Sequence, residues 1–426
     1  MAILILCIFL LFVISTLSVP VTHTYNSLSL PTSKAVGKPI AKTVQKIPFK
    51  YSMALTVSIP IGTPPQNQDM VIHTGSQLSW IQCIRKSQKP SSPTNSSSSF
   101  DPSLSSSYLA VRCDQPACKP QIRDYTLPTS CDNNRDCHYS YFYADQTLAE
   151  GNLIQEKLAF GVGSKPMPHI ILGCASADSS SGYDKGILGM NLGRLSFPSQ
   201  ANLSKFSYCI PLRTAAGSGP GPFPTGSIVL GENPSSAGFR FVDLMMSPQG
   251  SRAMPNFNPL AYTVPMQGIR IGAKRLDIPP SVFRPDAGGS GQTMIDSGSE
   301  LTYLVDEAYG KVREEVVRLV GPTMKKGYTY NNGVADMCFN SQAAEVVGRL
   351  VGGMTFEFEG GVEIGVPGDR ILAKMEDGVH CLPVGKSIML GAAANIIGNI
   401  HQQNMWVEFD LVSHRVGFGK ADCSRS

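Results

Sequence analysis

His73 and Asp296 are the residues whose chemistry is most legible in this chain, because each opens the same short turn. Residues 70–80 read Met-Val-Ile-His-Thr-Gly-Ser-Gln-Leu-Ser-Trp, and residues 293–303 read Thr-Met-Ile-Asp-Ser-Gly-Ser-Glu-Leu-Thr-Tyr. Nearly every aligned pair is identical or chemically close, the mark of an internal duplication. In both copies an apolar, strand-like run ends on a residue that can carry a proton, followed by Thr/Ser-Gly-Ser. An Asp-Ser-Gly turn taken alone is more often a capping turn than a catalytic one; the duplicate reverses that reading.

The mismatch of His73 against Asp296 decides the chemistry. Two carboxylates about 3 Å apart share one proton and carry one net negative charge. One takes a proton from water while the other donates to a carbonyl oxygen. Neutral imidazole beside an ionised carboxylate has the same proton and charge, but it is longer and places its N–H further from the backbone. In acid such a pair becomes cation and anion, which lowers the basicity of the carboxylate. Slow hydrolysis shifted toward neutral pH is therefore expected. Asp69 lies four residues back, ~13 Å along an extended strand, and cannot stand in. Glu300 and Asp145 belong to other loops.

A second duplicated element must position these turns. Gly186-Ile-Leu-Gly-Met-Asn follows the first copy and Asn395-Ile-Ile-Gly-Asn-Ile the second, at similar distances. Two apolar residues and a Gly suit a strand packed tightly against the turn, with Gly189 and Gly398 permitting close backbone approach. From Tyr51 onward the chain is mostly short β-rich runs divided by Gly, Pro, Asn and Ser, which predicts an all-β architecture. One helix is expected, from Asp306 to the stop at Gly321-Pro322, because Ala308, Val312, Val316 and Val320 recur every four residues.

At 426 residues the chain is long enough for two packed domains. The net charge of +4, with 16% charged residues, shows no basic stripe for nucleic acid. Residues 2–14 are almost wholly apolar and short for a membrane span, so residues 1–18 read as a signal peptide and the product as secreted, with no later span. Residues 19–48 read as a leader or a basic pro-segment carrying Lys34, Lys38, Lys42 and Lys46. The N-terminal lobe is assigned to 49–213, a Gly/Pro-rich linker to 214–226 and the C-terminal lobe to 227–426. Asn95 and Asn202 head glycosylation sequons. Of eleven cysteines, Cys7 lies in the signal, leaving an even ten suited to disulfides in an oxidising compartment. The spacing of Cys113, Cys118, Cys131 and Cys137 lacks the paired pattern of a zinc site, and His73 has no second His or Cys to help hold a metal. No metal or cofactor is expected. No Gly-x-Ser-x-Gly elbow with triad partners is evident, and Gly288-Gly-Ser-Gly-Gln-Thr293 lacks the Lys of a phosphate loop.

Taken together, Ile61-Gly-Thr-Pro-Pro-Gln, Thr74-Gly75-Ser76, Trp80, Tyr143-Ala-Asp145, Ile187-Leu-Gly189, Asp296-Ser-Gly-Ser299, Ile396-Ile-Gly398 and Gln402-Gln-Asn404 resemble the pepsin-family aspartic proteases, specifically the cysteine-rich plant branch called nucellin-like. The resemblance runs from about Tyr51 to the end. It implies a bilobal, pepsin-like β fold with a cleft between pseudo-symmetric lobes, each supplying one aspartate at the positions of His73 and Asp296. It further implies that Thr74 and Ser297 tie the loops across the dyad around Gly75 and Gly298, and that Ser76 and Ser299 bond the outer atoms of the catalytic groups. Tyr143 would be the flap tyrosine over substrate, with Trp80 behind it, and Gln146 stands where many relatives carry Gly. Disulfides Cys83–Cys174, Cys113–Cys137, Cys118–Cys131, Cys209–Cys423 and Cys338–Cys381 are implied by the same analogy. The function implied is that of a monomeric endopeptidase acting on extended peptide or protein substrates. The alternative is a catalytically inactive relative that binds or inhibits a protein.

Overall fold

A computed structural model describes residues 44–84, 99–119, 127–144, 147–159, 169–176, 186–213, 223–246, 254–331, 333–375 and 378–425. The signal segment, Asn95, Asp145, Gln146 and most of the expected linker lie outside the described residues. The first strand, Gln45–Tyr51, already takes in Gln45–Pro48, which the sequence reading put in the leader.

The duplicated elements fold into duplicated geometry. Strand Gln66–His73 lies parallel to Gly186–Gly189, with His73 opposite Gly189, and Ile187 pairs antiparallel with Trp80. In the second half Thr293–Ile295 lies parallel to Asn395–Ile397, and Ile396 pairs antiparallel with Tyr303. Each turn thus emerges between two strands that run the same way and a third that returns. A Cβ on Gly398 would sit 2.1 Å from the Leu301 carbonyl oxygen, and one on Gly189 would sit 2.6 Å from that of Gln77. The two glycines are required because the turn backbone presses directly on them.

Among the described residues the largest sheet has 15 strands. It crosses the sequence boundary drawn between lobes. Thr225–Leu230 pairs with Gln45–Lys50 and with Lys205–Cys209, while Lys205–Cys209 also pairs with Met405–Asp410 from the far end of the chain. Met405–Asp410 is buried along its whole length, including Glu408 and Asp410. Asp410 is matched there by Arg415 at 3.1 Å and Lys205 at 3.5 Å, as buried carboxylates require. Smaller sheets of four, four and three strands complete the second half.

The helix Asp306–Val320 forms as the four-residue period predicts, burying Ala308, Val312, Val316 and Val320, with Asp306 and Glu307 at its positive end. A second helix, Ser341–Val351, was not anticipated. Its buried face is Val347, Gly348 and Val351, whereas Val346 and Leu350 are exposed, so the apolar residues do not follow one stripe.

Five disulfides are present, and Cys83–Cys174, Cys209–Cys423 and Cys338–Cys381 pair as the resemblance implied. The other four cysteines pair differently: Cys113 with Cys131 and Cys118 with Cys137. Cys131 and Cys137 face each other across a hairpin. Cys137 and Cys118 are both buried and meet inside, leaving the exposed Cys131 to the half-buried Cys113.

Two glycines should respond oppositely to the same added methyl group. Gly398→Ala is expected to cost about 1–3 kcal/mol through overpacking. Gly310→Ala, in the exposed interior of the helix with nothing within 4 Å of the new Cβ, should gain about 0.5–1 kcal/mol. Denaturant unfolding of both variants measures this; a neutral Gly398→Ala would show that the turn can yield.

Candidate active site

The two turns meet back to back and are locked by a reciprocal set of hydrogen bonds. The Thr74 amide donates to Ser297 Oγ at 3.0 Å, and the Ser297 amide donates to Thr74 Oγ1 at 2.9 Å. Each hydroxyl then donates onward, Thr74 to the Ile295 carbonyl at 3.2 Å and Ser297 to the Ile72 carbonyl at 2.7 Å. Both residues are fully buried, so all four bonds stand where water cannot replace them.

This lock brings His73 and Asp296 together. Nδ1 of His73 lies 3.2 Å from Oδ1 of Asp296, and both side chains keep a small exposed edge, 16% and 11%. The imidazole lies over Gly298, where a Cβ would come within 2.3 Å of Nδ1; the glycine makes room for the ring. Asp296 Oδ1 also accepts from the Gly75 amide at 2.9 Å and the Gly298 amide at 3.0 Å, and Oδ2 accepts from Ser299 Oγ at 2.8 Å. Burial pushes the Asp296 carboxyl up, but the charge of His73, its hydrogen bond and these donors outweigh it and hold the group down at about 2.

The Gly75 amide has two acceptors in reach, Asp296 Oδ1 and His73 Nδ1 at 3.1 Å. Two bare acceptors 3.2 Å apart would repel. A proton on Nδ1 resolves the contact: Nδ1–H donates to Asp296 and the Gly75 amide serves the carboxylate alone. Nε2 is then the imidazole nitrogen left facing away from the carboxylate.

Ser299 occupies the place the resemblance implied, on the outer oxygen of Asp296. Ser76 donates its amide to the His73 carbonyl at 3.2 Å, but its hydroxyl does not bond the imidazole. Its hydroxyl lies 3.3 Å from Tyr143 Oη and donates to the Leu78 carbonyl at 3.3 Å, because an imidazole offers no outer carboxylate oxygen at that point. Tyr143 Oη accepts from Trp80 Nε1 at 2.7 Å, and its ring lies 5.8 Å from that of His73. The strand Cys137–Phe142 leads directly into Tyr143 and so places its ring over the imidazole.

Sequence reasoning gave no role to the layer behind Asp296. Gln402 donates to the backbone carbonyls of Asp296 and Ile397 at 3.2 and 2.8 Å while accepting from the Tyr208 hydroxyl. Asn399 donates to the Ser297 carbonyl at 3.1 Å and accepts from the Tyr51 hydroxyl at 2.9 Å. The signal was two amide side chains in the run directly after the apolar Ile396-Ile397, in what becomes the buried helical turn Asn399–Gln402.

Comparison with known proteins places the chain in a family. The family described as Xylanase inhibitor N-terminal matches residues 55–230, and Xylanase inhibitor C-terminal matches residues 261–420. Aspartic proteinase PCS1 of Arabidopsis thaliana is 36% identical over 419 residues, covering 94% of this chain and 88% of the relative. Aspartic proteinase nepenthesin-1 of Nepenthes gracilis is 33% identical over 376 residues, covering 87% and 78%. This chain belongs to the plant pepsin-like aspartic proteases. Among solved structures, basic 7S globulin from soybean aligns with a TM-score of 0.64 at 18% identity, covering 89% of this chain and 97% of that one, which bears on the fold alone. The curated relatives are named aspartic proteinases, which supports an aspartic-type endopeptidase at the level of the family.

Removing either locking hydroxyl leaves a buried amide without an acceptor. Thr74→Ala and Ser297→Ala should each cost about 1–3 kcal/mol, and the double variant less than their sum, in denaturant unfolding. Losses under about 0.5 kcal/mol would show that the turns hold without the lock. A second outcome follows from Asp296. With its folded value near 2 against an ordinary 3.8, it stabilises the fold above about pH 4 and loses that contribution between pH 4 and 2. The Tm gap between wild type and Asp296→Asn should therefore be wide at pH 5 and close toward pH 2.

Proposed function

We propose that this chain is a secreted endopeptidase of the aspartic type in which a His73–Asp296 pair replaces the usual two carboxylates, with activity impaired and moved toward neutral pH. The contact between Nδ1 and Asp296 Oδ1 at 3.2 Å carries this reading. An acid held at about 2 is a weak base, and Oδ1 of Asp296 is occupied by donors. Asp296 then orients the imidazole, and the outer nitrogen of His73 takes the proton of the attacking water. The water oxygen bonds to the peptide carbonyl carbon, and the same imidazolium returns the proton to the leaving amine as the C–N bond breaks. Tyr143, set against Trp80 and Ser76, closes over the substrate. This route needs the outer nitrogen of His73 free of a proton, so acid opposes it.

Five disulfides and the apolar N-terminal segment support passage through the secretory pathway. Asn202 is exposed at a turn, as a glycan acceptor must be. A second reading is a protein-binding module without catalysis. It is favoured by His73 itself and by the inhibitor description of the matching family.

Casein cleavage by wild type, His73→Asp and Asp296→Asn across pH 3 to 7.5 separates these readings. Wild type should cleave slowly, with a rate rising toward neutral pH. His73→Asp should raise the rate at least tenfold and move its optimum into acid, and Asp296→Asn should lower it by a similar factor. Absence of cleavage by wild type at every pH, with activity appearing in His73→Asp, would establish the binding reading. No gain in His73→Asp at any pH would refute histidine as the cause of the altered activity.

A further inference from the structure

We propose that His401 is a positioning residue that makes the Asp296 turn acid-sensitive: neutral, it closes the turn; protonated, it releases it. The inference rests on the site as read above but concerns its stability rather than its chemistry. His401 lies in the short helical turn Asn399–Gln402, directly after Gly398, and is 1% exposed. Its Nδ1 sits 2.7 Å from Thr302 Oγ1, and the same oxygen accepts the Gly398 amide at 3.1 Å. With one lone pair on Gly398, the Thr302 hydroxyl proton is free to go to Nδ1. Nε2 has no hydrogen-bond partner among the described residues, and the ring stands edge-on to Phe356 at 5.3 Å.

That closure reaches the site in few steps. Gly398 presses on the backbone of Glu300 and Leu301, and the neighbouring Ile397 carbonyl accepts the Asp296 amide at 3.1 Å. Gln402, the next residue, holds the Asp296 carbonyl. Displacing His401 therefore moves three supports of the catalytic turn together.

Protonation would put a second N–H and a full charge into this pocket. Among the described residues, no carboxylate faces it. Strand Thr302–Leu304 offers only Thr302 and Tyr303, and Asn395–Ile397 carries no charge. On Gly353–Phe358, Glu357 pairs with Arg270 and Arg275; on Val362–Pro367, Glu363 pairs with Arg270. Burial alone acts on the ring and holds its titration down at about 3, against an ordinary 6.5. The open or unfolded chain takes up the proton below pH 6.5 and the closed state does not until about 3. Closure is thus fully stable above about 6.5 and loses stability as pH falls toward 3.

The test compares wild type with His401→Asn, which keeps an acceptor near the Nδ1 position, and His401→Phe, which keeps the volume; neither titrates. The wild-type unfolding constant, from denaturant titrations, should rise about tenfold more per pH unit than that of the variants between pH 6 and 4. Hydrogen exchange of wild type, corrected for intrinsic rates, should show peptides over 395–402 losing protection in that window while peptides over 66–73 keep theirs. Parallel pH dependence in wild type and variants, or unchanged protection over 395–402, would overturn the proposal. Neither readout requires proteolysis, so an inactive enzyme and an absent latch give different results.

Discussion

Everything at the site depends on the reciprocal bonds between Thr74 and Ser297. They join two turns that lie far apart in sequence, and each supplies the other's buried amide with its acceptor. Short hydroxyl side chains are needed because the backbones nearly touch; a longer polar residue would push the turns apart, and an apolar one would strand two amides. Once the turns are locked, residues 73 and 296 must face each other whatever they are. The lock is indifferent to their chemistry, which is how a histidine can occupy an aspartate's position without disturbing the fold.

The consequence of that substitution is electrostatic before it is steric. Two carboxylates in this place repel, and sharing one proton relieves the repulsion. A histidine attracts instead. Asp296 gains the Nδ1–H donor of His73 in addition to two backbone amides and a serine hydroxyl, so its negative charge is held too well to be a strong base. The Ser76 hydroxyl lies beside Tyr143 Oη, which ties the His73 turn to the residue over the site.

What the sequence made legible was whatever repeats or alternates. The duplicated turns, the two Gly-bearing strands behind them and the helix Asp306–Val320 follow from spacing alone, because each is a local pattern with one geometric outcome. The cross-dyad lock and the Asp296–Ser299 contact came only with the resemblance to a family. The pairing of Cys113 with Cys131 was not legible, since four cysteines in a short span differ by which face of a hairpin each occupies. Helix Ser341–Val351 escaped because its buried stripe includes Gly348, seated against the Gly368 backbone, while apolar Val346 and Leu350 face outward. The insertion of Met405–Asp410 beside Lys205–Cys209 is a long-range pairing with no local signature at all.

Two buried groups close together in sequence pull the pH response in opposite directions. Burial raises the Glu408 carboxyl, against the lowering effects of Ser236 and Lys205, so this residue destabilises the fold less as pH falls. Burial lowers His401, so the turn behind Asp296 loses stability over an overlapping range. Asp410 in the same strand, lowered against burial by Ser413, Arg415 and Lys205, opposes Glu408, so acid leaves that strand with offsetting changes while it weakens the support of one catalytic turn. Earlier opening of that turn is the consequence of the His401 latch proposed above, and it sets a lower bound on the pH at which the His73–Asp296 pair remains assembled.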